Sequence, residues 1–509
     1  MTDFDVIIVG AGPAGLTLAA ELSLAGVRPL VLEKHALPRD VPKASGIAGQ
    51  ILDVLRNRGI LDRFEAASSN PHLPPRFPFG GTHLDLTQLA DSPLRAVPLP
   101  QMQIERLLAD RALELGAEIR RGHQVTGLGQ DATAVTAEVL GPDGPYQLTA
   151  QYLVGCDGGR SRIRDLAGID FPGTTYPEVN RVAQVSVPAS VLLDNGDLDI
   201  PGLGVLLAGF NRTDRGQFAF AANPGGVFLQ TVEDDTADYD DDEPLTMTEL
   251  AASVRRVLGV ELPMSDPTRL SRFTFKDRQA ERYRDGRVLL AGDAAHLLPA
   301  TGTALNVGMI DSVNLAWKLA ATVQGWAPAG LLDTYHEERY FAGARARQQT
   351  RAQVALRRGT DSAAEALRAI VQELLADEPA ARRVGAMIAG TDVRYPMPGA
   401  EHHALTGTFA PDLTLHTEPG TTSVAALLPS GRPVFLDLAD RPELREIAQR
   451  WSHRVDLHAA KAGDQPADAL LIRPDGHIAW AATLGEPAET AAATLRAALE
   501  HWFGSAAGA

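Results

Sequence analysis

The sequence has a single cysteine, no long apolar segment and fewer basic than acidic residues. Cys156 alone cannot form an internal disulfide or a cysteine-rich metal site, and it fits a reducing cytoplasm. No apolar run approaches the roughly 18 residues that cross a bilayer, and the acidic N-terminus is unlike a signal peptide. The 47 Lys and Arg residues against 64 Asp and Glu residues give a net charge of −17, which argues against a nucleic-acid partner. These absences predict a cytoplasmic globular protein with neither a nucleic-acid nor a membrane partner.

Nearly half of the excess negative charge lies in one short segment. The residues from Glu233 to Glu243 include eight acids and no base. Runs of like charge usually form solvated loops because the charges repel each other and prefer water. We therefore predict a solvent-exposed loop at this segment.

The pattern of apolar and polar residues changes three times along the chain. A chain of 509 residues is long enough for two to four domains at roughly 150 residues each. Residues 1–170 have an α/β pattern, and 171–275 have short alternating strands typical of an antiparallel sheet. Long helical patterns dominate 276–395, and a second α/β pattern occupies 400–509. No fixed-period repeat occurs, which excludes solenoids and propellers.

The N-terminus carries a glycine-rich turn between a strand and a helix. The apolar run FDVIIV at 4–9 is followed by Gly10-Ala11-Gly12-Pro13-Ala14-Gly15 and then by a helical pattern, and a second strand ends at Glu33. In such a turn the first glycine permits the bend, the second lets the backbone approach a pyrophosphate, and the third lets the helix pack on the sheet. An acid at the end of the second strand accepts a hydrogen bond from a ribose hydroxyl. The pattern predicts a dinucleotide site.

Two further motifs each place a Gly/Asp turn after an apolar strand. They are YLVGCDGGRS at 152–161 and RVLLAGDAAH at 287–296. With the opening turn, these motifs resemble the class A flavoprotein monooxygenases (the para-hydroxybenzoate hydroxylase-like family), especially the actinomycete branch that tailors polyketides. The resemblance spans about residues 4–350. It implies FAD as cofactor and a small-molecule polyketide as substrate.

The resemblance also implies a fold and a set of domains. The expected fold is α/β: a Rossmann-like FAD-binding domain formed by 1–170 and 276–395, with an antiparallel β-sheet substrate domain inserted at 171–275. Residues 400–509 resemble the thioredoxin-like C-terminal domain of larger family members. This domain has no Cys-x-x-Cys pair, so we expect it to serve packing or dimerisation and to be separable from the FAD site. The sequence is compatible with a monomer or a homodimer.

The resemblance assigns cofactor-binding residues by their positions in the motifs. Asp293 corresponds to a residue at the flavin ribityl chain, Asp157 to one between the cofactor and the nicotinamide, and Gln101 to a flavin-contacting glutamine. No metal ligand and no catalytic residue is assigned. The full cofactor-binding set comprises Gly10, Gly12, Pro13, Ala14, Gly15, Glu33, Lys43, Gln101, Asp157, Gly292, Asp293, Gly302, Leu305 and Asn306.

The sequence departs from the family in the loop after the third motif. The family loop reads approximately P-P-x-G-(G/A)-(Q/K)-G-(L/M)-N, whereas this chain has PATGTALN from Pro299 to Asn306. It is one residue shorter, has Ala300 in place of a second proline, and lacks the glycine before Leu305. Glycine permits backbone angles and close approaches that alanine resists, so the change bears on a loop that packs against the flavin.

A second departure affects two positions where the family commonly has arginine. This chain has Lys43 and Gln50 there, and neither side chain offers the forked donor of arginine. Because the FAD motifs are intact while the redox features have changed, the sequence favours a non-redox cyclase. Such an activity would resemble that of the FAD-dependent [4+2] cyclases of the pyrroindomycin and spirotetronate type, which form a decalin-type ring on a polyene. Catalysis would be mainly positional.

Two alternatives stay open at this stage. One is an FAD monooxygenase that depends on NADPH and O2, either an aromatic hydroxylase or a Baeyer–Villiger enzyme, acting on a polycyclic polyketide. NADPH is expected only in that case. The other is a catalytically inactive partner or binding protein.

Overall fold

The computed structural model describes residues 2–38, 44–223, 225–235, 244–299, 302–359, 361–397, 403–418 and 420–506. The strands are β1 (Phe4–Val9), β2 (Pro29–Glu33), β3 (Gly46–Ala48), β4 (Arg76–Phe79), β5 (Thr82–Asp85), β6 (Ala96–Pro98), β7 (Glu118–Arg121), β8 (Gln124–Gln130), β9 (Val135–Gly141), β10 (Gly144–Gly155), β11 (Gly173–Ser186), β12 (Leu198–Ile200), β13 (Gly204–Leu206), β14 (Gly209–Thr213), β15 (Gly216–Asn223), β16 (Gly226–Asp234), β17 (Ser265–Gln279), β18 (Arg284–Asp285), β19 (Val288–Leu290), β20 (His296–Leu297), β21 (Thr414–Thr417), β22 (Gly420–Ser423), β23 (Val434–Asp437), β24 (Asp456–Ala459), β25 (Lys461–Ala462), β26 (Ala469–Ile472) and β27 (Ile478–Ala482).

The α-helices alternate with these strands at both ends of the chain and cluster between 304 and 389. They are α1 (Pro13–Leu24), α2 (Gln50–Asn57), α3 (Leu61–Ala67), α4 (Gln101–Glu114), α5 (Arg162–Leu166), α6 (Met247–Leu258), α7 (Ala304–Val323), α8 (Asp333–Arg358), α9 (Ser362–Leu374), α10 (Glu378–Ala389), α11 (Pro442–Gln449) and α12 (Ala488–Phe503). No helix within the described ranges combines the length and apolarity needed to span a bilayer.

The first sheet is parallel at its centre. Its strand order is β18-β19-β10-β1-β2-β7, with β19, β10, β1, β2 and β7 running parallel. β1 is apolar and β-branched because helices cover both faces of a parallel sheet, and its residues Val6–Val9 are buried. The sheet and helices α1 and α7 share one large apolar core. The turns that follow β1, β10 and β19 therefore lie at the same edge of the sheet.

The second sheet is antiparallel along β14-β15-β16-β11-β17 and continues into the short strand β20. Helix α6 packs on one face of it through an apolar cluster that includes Phe218, Leu229 and Val254. The pairing of β17 with β20 joins this sheet to the turn that follows β19. The antiparallel sheet and the α/β fold class predicted from the sequence are both confirmed.

The C-terminal segment contains a four-stranded sheet in the order β24-β23-β26-β27. β23 and β24 are parallel, whereas β26 pairs antiparallel with both β23 and β27. With α11 between β23 and β24 and α12 after β27, this topology is the thioredoxin-like arrangement that the sequence predicts. Cys156, the only cysteine of the chain, lies outside this segment.

The first residues of the acidic run are not solvated as the sequence predicts. Glu233 is 7% exposed, and its carboxylate pairs with Arg181 at 3.0 Å and with Arg256 at 2.6 Å. Arg181 also pairs with Asp235. The prediction of a solvated loop is therefore wrong for these acids, since a buried arginine on β11 holds them. Residues 236–243 lie outside the described ranges.

Candidate active site

The three glycines of the N-terminal turn differ in what surrounds them. Gly10 has φ +107°, and a Cβ atom there would lie 2.5 Å from the carbonyl oxygen of Cys156. A Cβ at Gly15 would lie 2.0 Å from the carbonyl oxygen of Gly10. Both glycines are therefore required by the packing of the protein itself. A Cβ at Gly12 would meet no protein atom within 4 Å, so this position opens onto space at the start of α1.

Glu33 stands at the end of β2 beside this turn. Its Oε2 accepts a hydrogen bond from the Ala11 amide, and its Oε1 accepts one from the His35 amide, each at 2.9 Å. These two amides fix the carboxylate next to the glycine turn. A fixed acid at this position can also accept a hydrogen bond from a ribose hydroxyl.

The turn at Gly292 packs directly between α1 and α7. Gly292 has φ +63°, and a Cβ there would lie 3.0 Å from the Cβ of Ala14, the second residue of α1 after Pro13. A Cβ at Gly308 on α7 would lie 2.9 Å from the Cα of Gly292. Ser312 Oγ donates to the Ala14 carbonyl oxygen at 2.8 Å. Asp293 is exposed between buried neighbours at this junction.

Asp157 uses its carboxylate to hold the backbone that follows it. It accepts hydrogen bonds from Ser161 Oγ at 2.5 Å, the Arg162 amide at 2.7 Å and the Ile163 amide at 3.1 Å. Burial raises its pKa above the ordinary value for aspartate. Asp157 thus stabilises the first turn of α5. The cofactor contact that the family resemblance implies for it stays a prediction.

The side chains of Gln101 and Gln50 differ in their hydrogen bonding. Gln101, the first residue of α4, accepts a hydrogen bond from the Ala44 amide at 3.2 Å and donates one to Glu105 at 2.8 Å. Gln50 is 5% exposed, and its Nε2 has no hydrogen-bond partner within the described part of the chain. A buried donor without a partner is costly, which indicates that a ligand can satisfy it. Lys43 itself lies outside the described residues.

The shortened loop leads into a regular helix at Ala304. Gly302 has φ +90°, and no protein atom lies within 4 Å of the position a Cβ would take. Asn306 donates to the Gly302 carbonyl oxygen at 3.0 Å and accepts from the Ala48 amide at 3.0 Å. Leu305 is partly buried at the edge of the main core. Ala300 and Thr301 lie outside the described residues, so the departure at Ala300 has no structural account.

A buried ionic group supports the Gly292 turn, and sequence reasoning missed it. Asp311 on α7 accepts hydrogen bonds from the Gly292 amide at 3.0 Å and from Arg339 Nε at 2.7 Å, and it lies 2.7 Å from His296 Nε2. Burial favours the protonated acid, but His296 and Arg339 lower the pKa of Asp311 below its ordinary value. Asp311 and Lys318 are the two charged residues of this largely apolar helix, and that pattern was the available signal.

The predicted residues therefore converge from four segments of the chain. The turns after β1 and β19, the end of β2 and the start of α7 meet at one edge of the first sheet. An open position at Gly12, an unpartnered donor on Gln50 and a fixed acid at Glu33 fit a dinucleotide with a pyrophosphate and a ribose. No cluster of three or more potential metal ligands exists among the residues that the structure describes.

Comparisons with known proteins agree with this geometry. Residues 3–350 match the family described as FAD binding domain, and residues 403–506 match the family described as aromatic-ring hydroxylase, C-terminal. The chain is 44% identical to the 12-dehydrotetracycline 5-monooxygenase/anhydrotetracycline 6-monooxygenase of Streptomyces rimosus, covering 98% of this chain and 99% of that relative. It is 39% identical to the dialkyldecalin synthase of Streptomyces rugosporus, covering 99% of each. The solved structure of an anhydrotetracycline hydroxylase from Streptomyces rimosus superimposes with a TM-score of 0.86 at 41% identity, covering 99% of this chain and 100% of that chain.

Proposed function

The chain belongs to the FAD binding domain family, and from this premise we propose that it is an FAD- and NADPH-dependent monooxygenase that hydroxylates a polycyclic aromatic polyketide. Two features of the comparisons support this proposal. A relative named as a monooxygenase matches at 44% identity over nearly the whole of both chains, and the C-terminal segment matches an aromatic-ring hydroxylase family. Sequence patterns alone favour the cyclase, and the proposal reverses that order of preference.

The start of α7 is the observation that carries this choice. Thr303, which precedes the helix, makes no side-chain capping hydrogen bond, and its Oγ1 accepts a hydrogen bond from Gln349 at 3.1 Å instead. The first amides of this 20-residue helix can therefore face a ligand. The positive end of a helix stabilises negative charge. Although the loop before it is one residue short, Gly302 and Asn306 keep that end ordered and open.

Bound FAD would supply the redox chemistry, taking hydride from NADPH and activating O2, and its ring gains negative charge on reduction. The chain's own residues would hold and orient it. Gly12 and the start of α1 would face the pyrophosphate, and Glu33 would face the adenosine ribose. Gly302 and the first turn of α7 would stabilise charge on the ring. Asp311 would hold the Gly292 turn in place through the hydrogen bond that it accepts from the Gly292 amide.

The non-redox cyclase is the second candidate, and a specific observation favours it. The Pro299–Asn306 loop lacks one residue and one glycine relative to the family pattern. A dialkyldecalin synthase matches at 39% identity over 99% of this chain and 99% of its own length. In that case FAD would shape the wall of the substrate site without changing its redox state.

One assay separates the two candidates. FAD-loaded enzyme is mixed with anhydrotetracycline, and separately with a linear polyene carrying a diene and an activated alkene. Each mixture is run in air with NADPH and anaerobically without it. We expect NADPH oxidation to rise with the aromatic compound, and one atom of ¹⁸O₂ to enter the product while the other leaves as water.

The control is protein from which FAD has been removed, which should be inactive in every arm. Ring formation on the polyene without NADPH or O2, together with no flavin bleaching by NADPH, would contradict the oxygenase and support the cyclase. Incorporation of oxygen from water would exclude O2 as the source.

A further inference from the structure

The second sheet has one face that α6 does not cover. Side chains alternate along each strand, so the residues that oppose the α6 cluster share the other face. We call this other face the inner face and define it by Asn180 on β11, Gln230 on β16, and Phe273 and Phe275 on β17. Asn180 and Phe273 lie opposite each other in the β11–β17 register. The C-terminal end of α8 lies against this face.

Asn180 has a buried donor with no partner. The residue is fully buried, and its Oδ1 accepts hydrogen bonds from Gln230 Nε2 at 2.9 Å and from Arg357 Nη2 at 3.3 Å. These two donors fix the orientation of the amide, so the oxygen is satisfied and the nitrogen points away from them. Asn180 Nδ2 has no hydrogen-bond partner in the described part of the chain. A donor left in this state costs free energy until an acceptor reaches it.

Arg357 brings a cation to the same place. Its guanidinium lies 5.4 Å from the centre of the Phe275 ring and donates to Asn180, and no carboxylate in the described ranges forms an ion pair with it. Burial lowers the pKa of Arg357, the charge of Glu178 acts in the opposite direction, and the charge of Arg212 lowers it further. Glu178 itself pairs with Arg358. A half-buried arginine without a counter-ion is a site for an anionic or strongly accepting oxygen.

A row of polar residues on α8 connects this site to the start of α7. Gln349 donates to Thr303 Oγ1 at 3.1 Å, and Gln353 donates to Gln349 at 2.7 Å. Positions 349, 353 and 357 lie four residues apart and therefore share one face of the helix. The row spans about 12 Å at 1.5 Å per residue. Through these buried side chains, the protein links the Arg357 site to the residue that precedes α7.

We propose that Arg357 and Asn180 bind the keto–enol edge of the substrate, meaning a ring carbonyl beside an acidic enol or phenol. This inference rests on the proposed function and adds the chemical class of group that the site recognises. Both protein groups are donors, so the ligand must offer two acceptors. The guanidinium fork and the Asn180 side-chain NH2 group suit an ionised oxygen and a neighbouring carbonyl. Phe275 and Phe273 supply apolar faces for the attached rings.

The test uses a defined pair of probes with FAD-loaded protein. The probes are 1,8-dihydroxyanthraquinone, which has the keto–enol edge, and 1,8-dimethoxyanthraquinone, which lacks the acidic hydroxyls. Affinity is measured by quenching of protein fluorescence, and ionisation of the bound dihydroxy probe by its visible absorbance as a function of pH. We expect wild-type protein to favour the dihydroxy probe by roughly tenfold or more and to ionise it at a lower pH than in water.

The variants distinguish the anchor from general charge and packing. We expect Arg357→Ala to lose about 10- to 100-fold in affinity for the dihydroxy probe and to abolish the ionisation shift. Arg357→Lys should keep part of both, and Asn180→Ala should weaken binding while keeping the shift. The matched control is Arg358→Ala, which removes an arginine from the same helix end and should change neither readout.

Three results would overturn the proposal. They are an absence of saturable binding by wild-type protein, equal affinity for both probes, and equal effects of Arg357→Ala and Arg358→Ala. FAD content and substrate-dependent NADPH oxidation are measured on the same samples. If the protein discriminates between the probes but no substrate drives NADPH oxidation, the monooxygenase proposal is rejected and the Arg357–Asn180 site is supported. If the protein oxygenates a substrate but does not discriminate between the probes, the monooxygenase proposal is supported and the Arg357–Asn180 site is rejected.

Discussion

Arg473, which follows strand β26, makes a bidentate ion pair with Glu338 of helix α8, with N–O distances of 2.6 and 2.8 Å. Both side chains are buried. Lys318 on α7 donates to the same carboxylate at 2.8 Å, and Asp475 accepts from Asn314 at 3.0 Å. The C-terminal segment is therefore joined to the helices behind the candidate active site by buried charges. The separability of this segment from the FAD site stays a prediction, and its removal would leave the Glu338 carboxylate without Arg473.

Arg473→Ala should destabilise the whole protein. Removing one partner of a buried ion pair leaves the other charge uncompensated, which costs about 3–5 kcal/mol. Urea unfolding of the FAD-loaded protein measures the loss. Arg432→Ala is the control in the same segment, because the Arg432–Asp456 pair is solvent-exposed and should contribute less than about 1 kcal/mol. Equal losses in the two variants would show that burial of the Arg473 pair has no special weight.

Glu338 should make the protein sensitive to acid. Burial favours its protonated form, but the adjacent Arg473 and Lys318 lower the pKa of Glu338 to about 2 from an ordinary value of 4.5. Because the folded-state pKa is lowered, its stabilisation is present above pH 4.5 and is lost as the pH falls toward 2. The urea midpoint of the wild type should fall across this window.

Two variants of helix α8 test this assignment. Glu338→Gln should be destabilised at pH 7 and should lose less on acidification, with a residual slope from Asp311 and Asp475, whose pKa values are also lowered. Glu337→Gln, an exposed neighbour, should keep the wild-type slope. A Glu338→Gln profile parallel to the wild type would assign the acid sensitivity to other groups.

Local patterns sufficed to predict the fold class and the dinucleotide edge of the site. The strand–glycine–helix pattern at 4–25 and the Gly/Asp turns at 157 and 293 specify backbone geometry within a few residues. The resemblance that they carry is confirmed by the family match over 3–350. Gly12 and Gly302 open onto space in the structure, in line with a role set by a ligand and not by packing.

Long-range ionic contacts could not be predicted in the same way. Arg473 and Glu338 are 135 residues apart, and Arg181 and Glu233 are 52 apart. The periodic pattern of apolar residues in a sequence does not indicate which buried charged residues form ion pairs in the fold. The eight-acid run predicts a solvated loop, because nothing in its own sequence indicates that Arg181 on β11 pairs with Glu233 and Asp235. Asn180 and Arg357 were missed for the same reason.

Asp311→Asn should weaken FAD binding. The substitution replaces a carboxylate that accepts from the Gly292 amide and Arg339 with a neutral amide. Hydrogen bonds to charged groups contribute about 1.5–3 kcal/mol, so we expect roughly a 10- to 100-fold rise in the FAD dissociation constant. Recovery of flavin fluorescence on dilution measures it.

The control for this variant is Asp333→Asn, which alters an exposed aspartate at the start of α8. It should bind FAD like the wild type. Thermal unfolding of both apoproteins is recorded, so that a loss of fold is separated from a loss of affinity. Wild-type FAD affinity in a folded Asp311→Asn protein would limit Asp311 to a structural role.

Gly12→Ala should weaken FAD binding without harming the fold. A Cβ at Gly12 meets no protein atom within 4 Å, so the apoprotein should melt at the wild-type temperature. The methyl group would occupy the space through which the backbone approaches the pyrophosphate, and we expect FAD affinity to fall by about tenfold or more. Gly129→Ala is the matched control, since Gly129 on β8 is equally unobstructed but lies away from the turn. Gly129→Ala should change neither FAD affinity nor the melting temperature.

Gly15→Ala should instead fail to fold, because its Cβ would lie 2.0 Å from the Gly10 carbonyl oxygen. If Gly12→Ala binds FAD as tightly as Gly129→Ala does, the pyrophosphate does not lie against this turn.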